Sequence, residues 1–181
     1  MSNSVNNKKF SLEYLKSRLN YNPETGIFTW KFKNNNTKGN KIFNTKFGGK
    51  IAGGKVSDGY LAIGVNGKLI KTHRLAYLFM TGEWPNDEID HINGNPSDNR
   101  WKNLRAVSRW ENNRNSKIQK NNTSGLRGVS WYKNYKKWCV RIHDNNGKRI
   151  NLGYFDNFNE AVKVRKEFEI KYGYHENHGR K

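Results

Sequence analysis

The chain has 181 residues, with 34 Lys+Arg against 15 Asp+Glu and a formal net charge of +19. That length suits one ordinary domain or two small ones and excludes a large multidomain assembly. So strong a positive field repels basic partners and draws in polyanions, which makes nucleic acid or an anionic membrane the leading partner class.

Up to Asp90 there are 14 Lys+Arg and 7 Asp+Glu, and beyond it 20 and 8, so the charge is spread along the chain and is not a tail. The 13% aromatic share, with six Trp, argues against disorder even though the hydrophobic content is only 34%. A single cysteine, Cys139, excludes an internal disulfide or a paired-cysteine zinc knuckle and fits a reducing compartment. The N-terminus lacks the apolar core of a signal peptide, and no apolar run reaches the roughly 18 residues a membrane helix needs. The expectation is an intracellular, cytoplasmic protein with no membrane span. A membrane-surface role is disfavoured too, because no basic helix with a broad apolar face appears.

In chain order, Ser11 is placed to cap a short helix with Leu12, Leu15 and Leu19 on one face. Pro23 to Gly26 reads as a turn, Ile27 to Phe32 as a strand, and the Asn-rich stretch from Lys33 to Lys46 as a mobile loop. Gly49 to Val56, GKIAGGKV, matches part of a phosphate loop but lacks its Ser/Thr and precedes a hairpin, so it reads as a turn-rich connection. Tyr60 to Val65 and Lys68 to Lys71 flank Asn66-Gly67, a strong hairpin signal because Asn-Gly accepts the positive φ of a type I′ turn. Thr72 is expected to cap a helix through Leu75, Leu78 and Phe79 that stops at Gly82.

The densest chemistry follows. Asp90-His91-Ile92-Asn93-Gly94 precedes Asp98-Asn99-Arg100 and Asn103-Leu104-Arg105, then a short strand from Leu104 to Val107, then a capping box from Ser108 to Glu111 that opens a helix carrying Asn112. A hairpin followed by a helix brings Asp90, His91, Asn103 and Asn112 toward one pocket. Asn93, Gly94 and Asp98 are assigned to turn geometry. His73 reads as a packing or phosphate-contact residue, and His175 and His178 as part of a frayed basic tail.

This stretch resembles the HNH nuclease family, in the form of phage and intron-encoded homing endonucleases whose last motif histidine is replaced by asparagine. The resemblance covers roughly residues 45–115 and includes Thr72-His73-Arg74-Leu75-Ala76. It implies a ββα-metal module in which His91 is the general base, Asn103 holds its ring through the other nitrogen, and Asp90 and Asn112 bind one Mg²⁺ or Mn²⁺ ion through hard oxygen ligands. It further implies phosphodiester hydrolysis to 5′-phosphate and 3′-hydroxyl ends, with the metal neutralising charge on the phosphate and the departing oxygen.

Residues 116–124, SKIQKNNTS, lose all periodicity and read as a linker between residues 1–115 and 125–181. Beyond it come strands at Arg127 to Trp131, Trp138 to Ile142 and Arg149 to Leu152, a turn at Asp144 to Gly147, and a helix capped by Asn157 with Ala161, Val164, Phe168 and Tyr172 on its apolar face and Gly173 as its stop. Trp131, Trp138, Tyr154, Phe155 and Phe158 read as core or sheet packing. Ser124 to Val129, Trp138 to Ile142, Arg149 to Phe155 and Glu160-Ala161 resemble the plant Apetala/ethylene-response-factor DNA-binding domain. The resemblance implies a three-stranded sheet lying in the major groove, with Arg127, Ser130, Tyr132, Arg141, His143, Arg149 and Asn151 facing double-stranded DNA. Asn151 stands where the plant pattern has Trp, so the plant target does not transfer.

The fold expected is therefore α+β, a ββα-metal module followed by a small three-stranded antiparallel sheet with one helix. The function expected is a site-directed, metal-dependent DNA endonuclease of the homing type, using no small-molecule cofactor. A non-catalytic DNA-binding regulator and an RNA-binding protein are the alternatives, while target site, nicking or double-strand cleavage, and oligomeric state stay open.

Overall fold

The computed structural model describes residues 10–114, 118, 121–175 and 178–179. The chain divides into two compact units, Met1–Ser108 and Arg109–Lys181. Residues 116, 117, 119 and 120 of the expected linker lie outside the described residues, as do 176, 177, 180 and 181 of the basic tail. Among the described residues, no helix is long and apolar enough to cross a membrane.

In the first unit, α1 (Leu12–Arg18) starts where expected, with the Ser11 hydroxyl accepting from the Tyr14 amide at 3.2 Å. It passes straight into a strand the sequence reading missed. Leu19 continues the helical period, but it begins β1 (Leu19–Asn22), which pairs antiparallel with β2 (Ile27–Trp30). Gly26 closes their turn at φ +73°, and a Cβ there would stand 2.4 Å from Arg100 N and from the Asn99 carbonyl carbon.

The expected Asn-rich loop is instead largely a helix, α2 (Lys38–Phe47). Thr37 caps it through its hydroxyl, Phe43 and Phe47 pack on Trp30 at ring distances of 5.6 and 6.4 Å, and the Asn44 carboxamide bonds both backbone groups of Lys33 at 2.8 and 2.9 Å. Tertiary contact of this kind overrides a weak local propensity.

The next three strands, β3 (Gly54–Lys55), β4 (Leu61–Val65) and β5 (Lys68–Lys71), form one antiparallel sheet in that order. The β4–β5 turn has Asn66 at φ 47° and Gly67 at φ 74°, the left-handed pair that a type I′ turn requires. Helix α3 (Thr72–Thr81) ends at Gly82 in the left-handed region, φ 86°. Its cap differs from expectation: Lys71 is the cap residue without a side-chain bond, and Thr72 already lies in the helix, its hydroxyl donating to the Leu61 carbonyl at 3.0 Å. Leu15, Leu19, Phe28, Ile63, Ile70, Leu75 and Leu78 form the core under the sheet and helices. A last hairpin, β6 (Glu88–His91) with β7 (Leu104–Val107), carries the motif residues.

The second unit opens with α4 (Arg109–Arg114), followed by β8 (Val129–Tyr132), β9 (Lys137–His143), β10 (Arg149–Phe155) and α5 (Phe158–Lys171). Its sheet is antiparallel with β9 central, and α5 is capped by Asn157 as expected. Val129, Val140 and Ala161 are buried with Trp138, Leu152, Phe155 and Phe158 against them, and Trp131 packs edge-on to Trp138 at 5.2 Å on the sheet while staying 45% exposed. The buried face of α5 also takes in Arg165 at 2% exposure, a residue its apolar pattern did not mark.

Gly26→Ala adds left-handed strain and a steric overlap with rigid backbone. It is expected to destabilise the chain by about 2 kcal/mol or more, read as a lowered thermal midpoint. An unchanged midpoint would show that the β1–β2 turn does not press on the Asn99–Arg100 segment.

Candidate active site and nucleic-acid interface

The first candidate site is built on β6 and the loop that follows it. Asp90 lies opposite Arg105 and His91 opposite Leu104 in the β6–β7 ladder, and Asp90 and His91 are only 8% and 4% exposed. Between the strands the chain runs through successive Asx turns. Asn93 Oδ1 accepts from the Asn95 amide at 2.9 Å, Asn95 Oδ1 from the Ser97 amide at 3.0 Å, and Asp98 Oδ1 from the Arg100 amide at 3.3 Å. This is local chemistry that the Asn93, Asn95 and Asp98 side chains encode directly.

Asn103 closes the loop. Its amide nitrogen donates to Asn93 Oδ1 at 3.0 Å and to the Asp98 carbonyl at 2.8 Å, its side-chain oxygen accepts from the Asn93 amide at 3.0 Å, and its carbonyl accepts from Ile92 at 2.9 Å. Asn99 stands at hydrogen-bond distance from the His91 ring, its Oδ1 3.2 Å from Nε2. Asn99 is 1% exposed, and the loop composition marked it only as a turn former. Its amide nitrogen faces the Ser97 carbonyl at 3.4 Å, which leaves the oxygen toward His91. A tautomer with its proton on Nε2 would satisfy this contact.

Two more rings surround His91. His73 stands edge-on to it at 5.2 Å and Tyr60 lies 5.8 Å away, with Tyr60 and His73 5.0 Å apart. His73 is 6% exposed, and its Nδ1 has no hydrogen-bond partner among the described residues. Burial first, then the charges of His91, Lys71 and Arg74, push its pKa down to about 3. His73 is thus a neutral neighbour at physiological pH.

Asp90 Oδ2 accepts from Arg105 Nε at 3.1 Å and Nη2 at 2.8 Å. A cation at Asp90 would compete with that guanidinium. Among the described residues no group of three or more His, Cys, Asp or Glu is arranged to hold a metal, so an ion here would rely on carboxylate, carboxamide, water and phosphate oxygens. Asp98 is engaged elsewhere, paired with Arg100 at 2.5 Å, which holds its carboxyl down to about 2. Asn112 lies half-buried on α4, in the second unit.

The second candidate region is one face of the second unit's sheet. Register puts Ser130 and Tyr132 of β8, Arg141 and His143 of β9, and Arg149 and Asn151 of β10 on the same side, opposite Val129, Val140 and Ile142. Ser130, His143, Arg149 and Asn151 are exposed and Tyr132 and Arg141 half-buried, while Arg127 precedes β8 and donates to the Asn113 carbonyl at 3.1 Å. A bulge between Asn151 and Gly153 adds Tyr154 to this face, where it meets Tyr132 and Tyr135 at 5.6 and 5.0 Å. The alternation read from sequence had no means of locating that bulge. His178, expected in a frayed tail, is packed: its Nδ1 bonds the Arg114 carbonyl and its Nε2 lies 2.9 Å from Arg165.

Because the folded pKa of His73 lies below its unfolded value, the unfolded chain binds more protons between about pH 6.5 and pH 3, and the stability present at neutral pH is lost as pH falls through that window. Urea unfolding at pH 7 and pH 5 should differ by on the order of 2 kcal/mol from this group alone. His73→Gln should flatten the difference, and an equal pH dependence in the variant would remove His73 as its cause.

Comparison with known proteins gives three findings. Residues 71–114 match the family model of the HNH endonuclease. The chain is 50% identical over 50 residues to Protein 3.8 of Escherichia phage T7, an alignment covering 28% of this chain and 41% of that protein's length. A structure described as DNA binding and cleavage by the HNH homing endonuclease I-HmuI aligns at 19% identity and a TM-score of 0.41, over 87% of this chain and 85% of that one. The segment from Lys71 to Arg114, which contains His73, Asp90, His91, Asn99, Asn103 and Asn112, thus carries the HNH endonuclease pattern.

Proposed function

We propose that the chain is a divalent-metal-dependent DNA endonuclease in which His91 is the general base. The observation that carries this reading is a buried histidine beside an aspartate, inside the segment that matches the HNH endonuclease, with its Nε2 3.2 Å from Asn99 Oδ1. In this role His91 Nδ1 takes a proton from water as the water oxygen bonds to phosphorus. The bond to the 3′ oxygen breaks and the departing alkoxide takes a proton from solvent water, leaving 5′-phosphate and 3′-hydroxyl ends. Asn99 fixes the tautomer, Asn103 holds the loop that presents Asn99, and the edge-on His73 limits rotation of the His91 ring. Asp90 offers carboxylate oxygens, which fit Mg²⁺ or Mn²⁺ better than a softer metal, and the motif alone adds the Asn112 carboxamide as a second ligand. When bound, one such ion supplies Lewis-acid stabilisation of charge on the phosphate and the leaving oxygen.

Residues 125–181 form the reading module in this proposal, contacting double-stranded DNA through Arg127, Ser130, Tyr132, Arg141, His143, Arg149 and Asn151. A cationic face of a twisted antiparallel ribbon supports that role. Site-directed, homing-type cleavage inside a host cell completes the reading, and the T7 relative supports its phage setting alone.

Supercoiled plasmid incubated with Mg²⁺ or Mn²⁺ should be converted to nicked or linear forms, with no conversion in EDTA. His91→Ala should lower the rate by at least about 10²-fold. Asn99→Ala should reduce kcat with little change in KM, because it releases the ring without touching DNA. Full activity in His91→Ala would sink the assignment of the base, and tight duplex binding with no cleavage under any metal would favour the regulator. Duplex affinity should also fall by roughly 10³ to 10⁵ between 50 and 200 mM salt if about 6 to 10 phosphates are neutralised. A flat salt response would refute polyanion binding by the charged face.

A further inference from the structure

The second unit contains a recess of about 350 Å³ whose lining includes Arg114, Arg127, Arg141, Arg149 and Arg165 but no Asp or Glu. Three of these guanidinium groups are anchored. Arg165, 2% exposed, donates from Nη1 to the Arg141 carbonyl at 3.0 Å and pairs through Nε with Glu169 at 3.0 Å. Arg127 donates to the Asn113 carbonyl at 3.1 Å, and Arg114 to the Tyr172 carbonyl at 2.6 Å and Asn145 Oδ1 at 3.1 Å. Among the described residues Arg141 and Arg149 have no carboxylate or carbonyl acceptor for their guanidinium groups.

Two lining histidines report the resulting field. Burial, then the charges of Arg149, Arg165 and Arg127, lowers His143. Burial also takes His178 down to about 4, with Arg165, Arg127 and Arg114 adding to the shift and a backbone hydrogen bond to Arg114 opposing it. Like charges gathered around a partly desolvated recess repel one another, and an anion seated there relieves that repulsion. Anchored guanidiniums lose little freedom when they bind, and the planar fork of arginine matches the paired oxygens of a phosphate.

We propose that this recess seats one phosphate group, gripped by Arg141 and Arg149 beside the anchored Arg165, and that the group is a backbone phosphate of duplex DNA. The seat stands on the recess itself, and only the source of the phosphate rests on the reading of this unit as DNA-binding. The lining extends past the sheet face to Arg114 before the sheet and Tyr174 and His178 after it, so the seat involves residues that sheet alternation alone does not select.

The full-length chain is titrated with inorganic phosphate at constant ionic strength, chloride being replaced, and its thermal midpoint is followed for wild type, Arg149→Gln and Lys163→Gln. Lys163 is exposed on α5 and outside the recess lining, so its variant controls for the loss of one charge. Phosphate should raise the midpoint of wild type and Lys163→Gln and leave Arg149→Gln nearly unmoved. Equal stabilisation of all three, or of none, overturns the seat.

Duplex binding across a salt series then identifies the source. Arg149→Gln should lose about tenfold in affinity and about 0.9 in the slope of log affinity against log salt, and Lys163→Gln should lose less. Selective stabilisation by phosphate with identical duplex binding in the two variants overturns the backbone source. Selective stabilisation in a chain that binds no duplex counts against the DNA-binding reading and leaves the seat standing.

Discussion

The loop between β6 and β7 hangs on one carboxamide. Asn103 uses both amide hydrogens and its oxygen to tie residue 103 to residues 93 and 98, while its backbone carbonyl takes the Ile92 amide. A group with this count of donors and acceptors, planar and uncharged, is what lets the loop between β6 and β7 fold back on itself while buried. Without that closure Asn99 would lose its place beside His91. The loop is also held from the other side: the Tyr21 hydroxyl donates to the Asn99 carbonyl at 2.8 Å, and the Trp101 amide donates to the Pro23 carbonyl at 2.9 Å. The β1–β2 hairpin therefore acts on the site through backbone contacts near Gly26, far from the motif in sequence.

The two units handle charge in opposite ways. In the first, the charges nearest the site are compensated locally, Asp90 by Arg105 at 2.8 Å and Asp98 by Arg100 at 2.5 Å, and the surrounding rings belong to His73, His91 and Tyr60. In the second, cations gather on one sheet face and its adjoining recess, and the buried Arg165 pairs with the half-buried Glu169. The first arrangement suits a proton transfer that depends on geometry, and the second suits a polyanion that arrives with its own charge.

Local signals were legible in the sequence, and tertiary ones were not. Asn66-Gly67, Gly82 and Asn157 were readable because a turn or a cap is decided within a few residues. Asp90 and His91 were legible by motif spacing and do share a strand. Helix α2 was hidden because its stability comes from Phe43 and Phe47 against Trp30, a contact that composition does not display. Asn99 was hidden because an asparagine in a run of turn formers looks like one more of them, and only burial separates the residue that faces His91 from its neighbours. Arg165 was hidden because a cation on an amphipathic helix is expected to face solvent, whereas Glu169 one turn along α5 supplies it with a carboxylate and Arg141 of β9 with a carbonyl.

The bulge in β10 sets the parity of everything after it. Asn151 pairs with Arg141 and Gly153 with Val140, so two successive residues of β10, Leu152 and Gly153, advance the ladder by a single step. Gly153 at φ 128° permits this, and beyond it Tyr154 falls on the cationic face while Phe155 returns to the core. Deleting one residue at this point would exchange those two rings, turning a phenol inward and a phenyl toward solvent. The segment from Asn151 to Phe155 is therefore intolerant of length changes even though the loops on either side of the strand are not bound by the same parity.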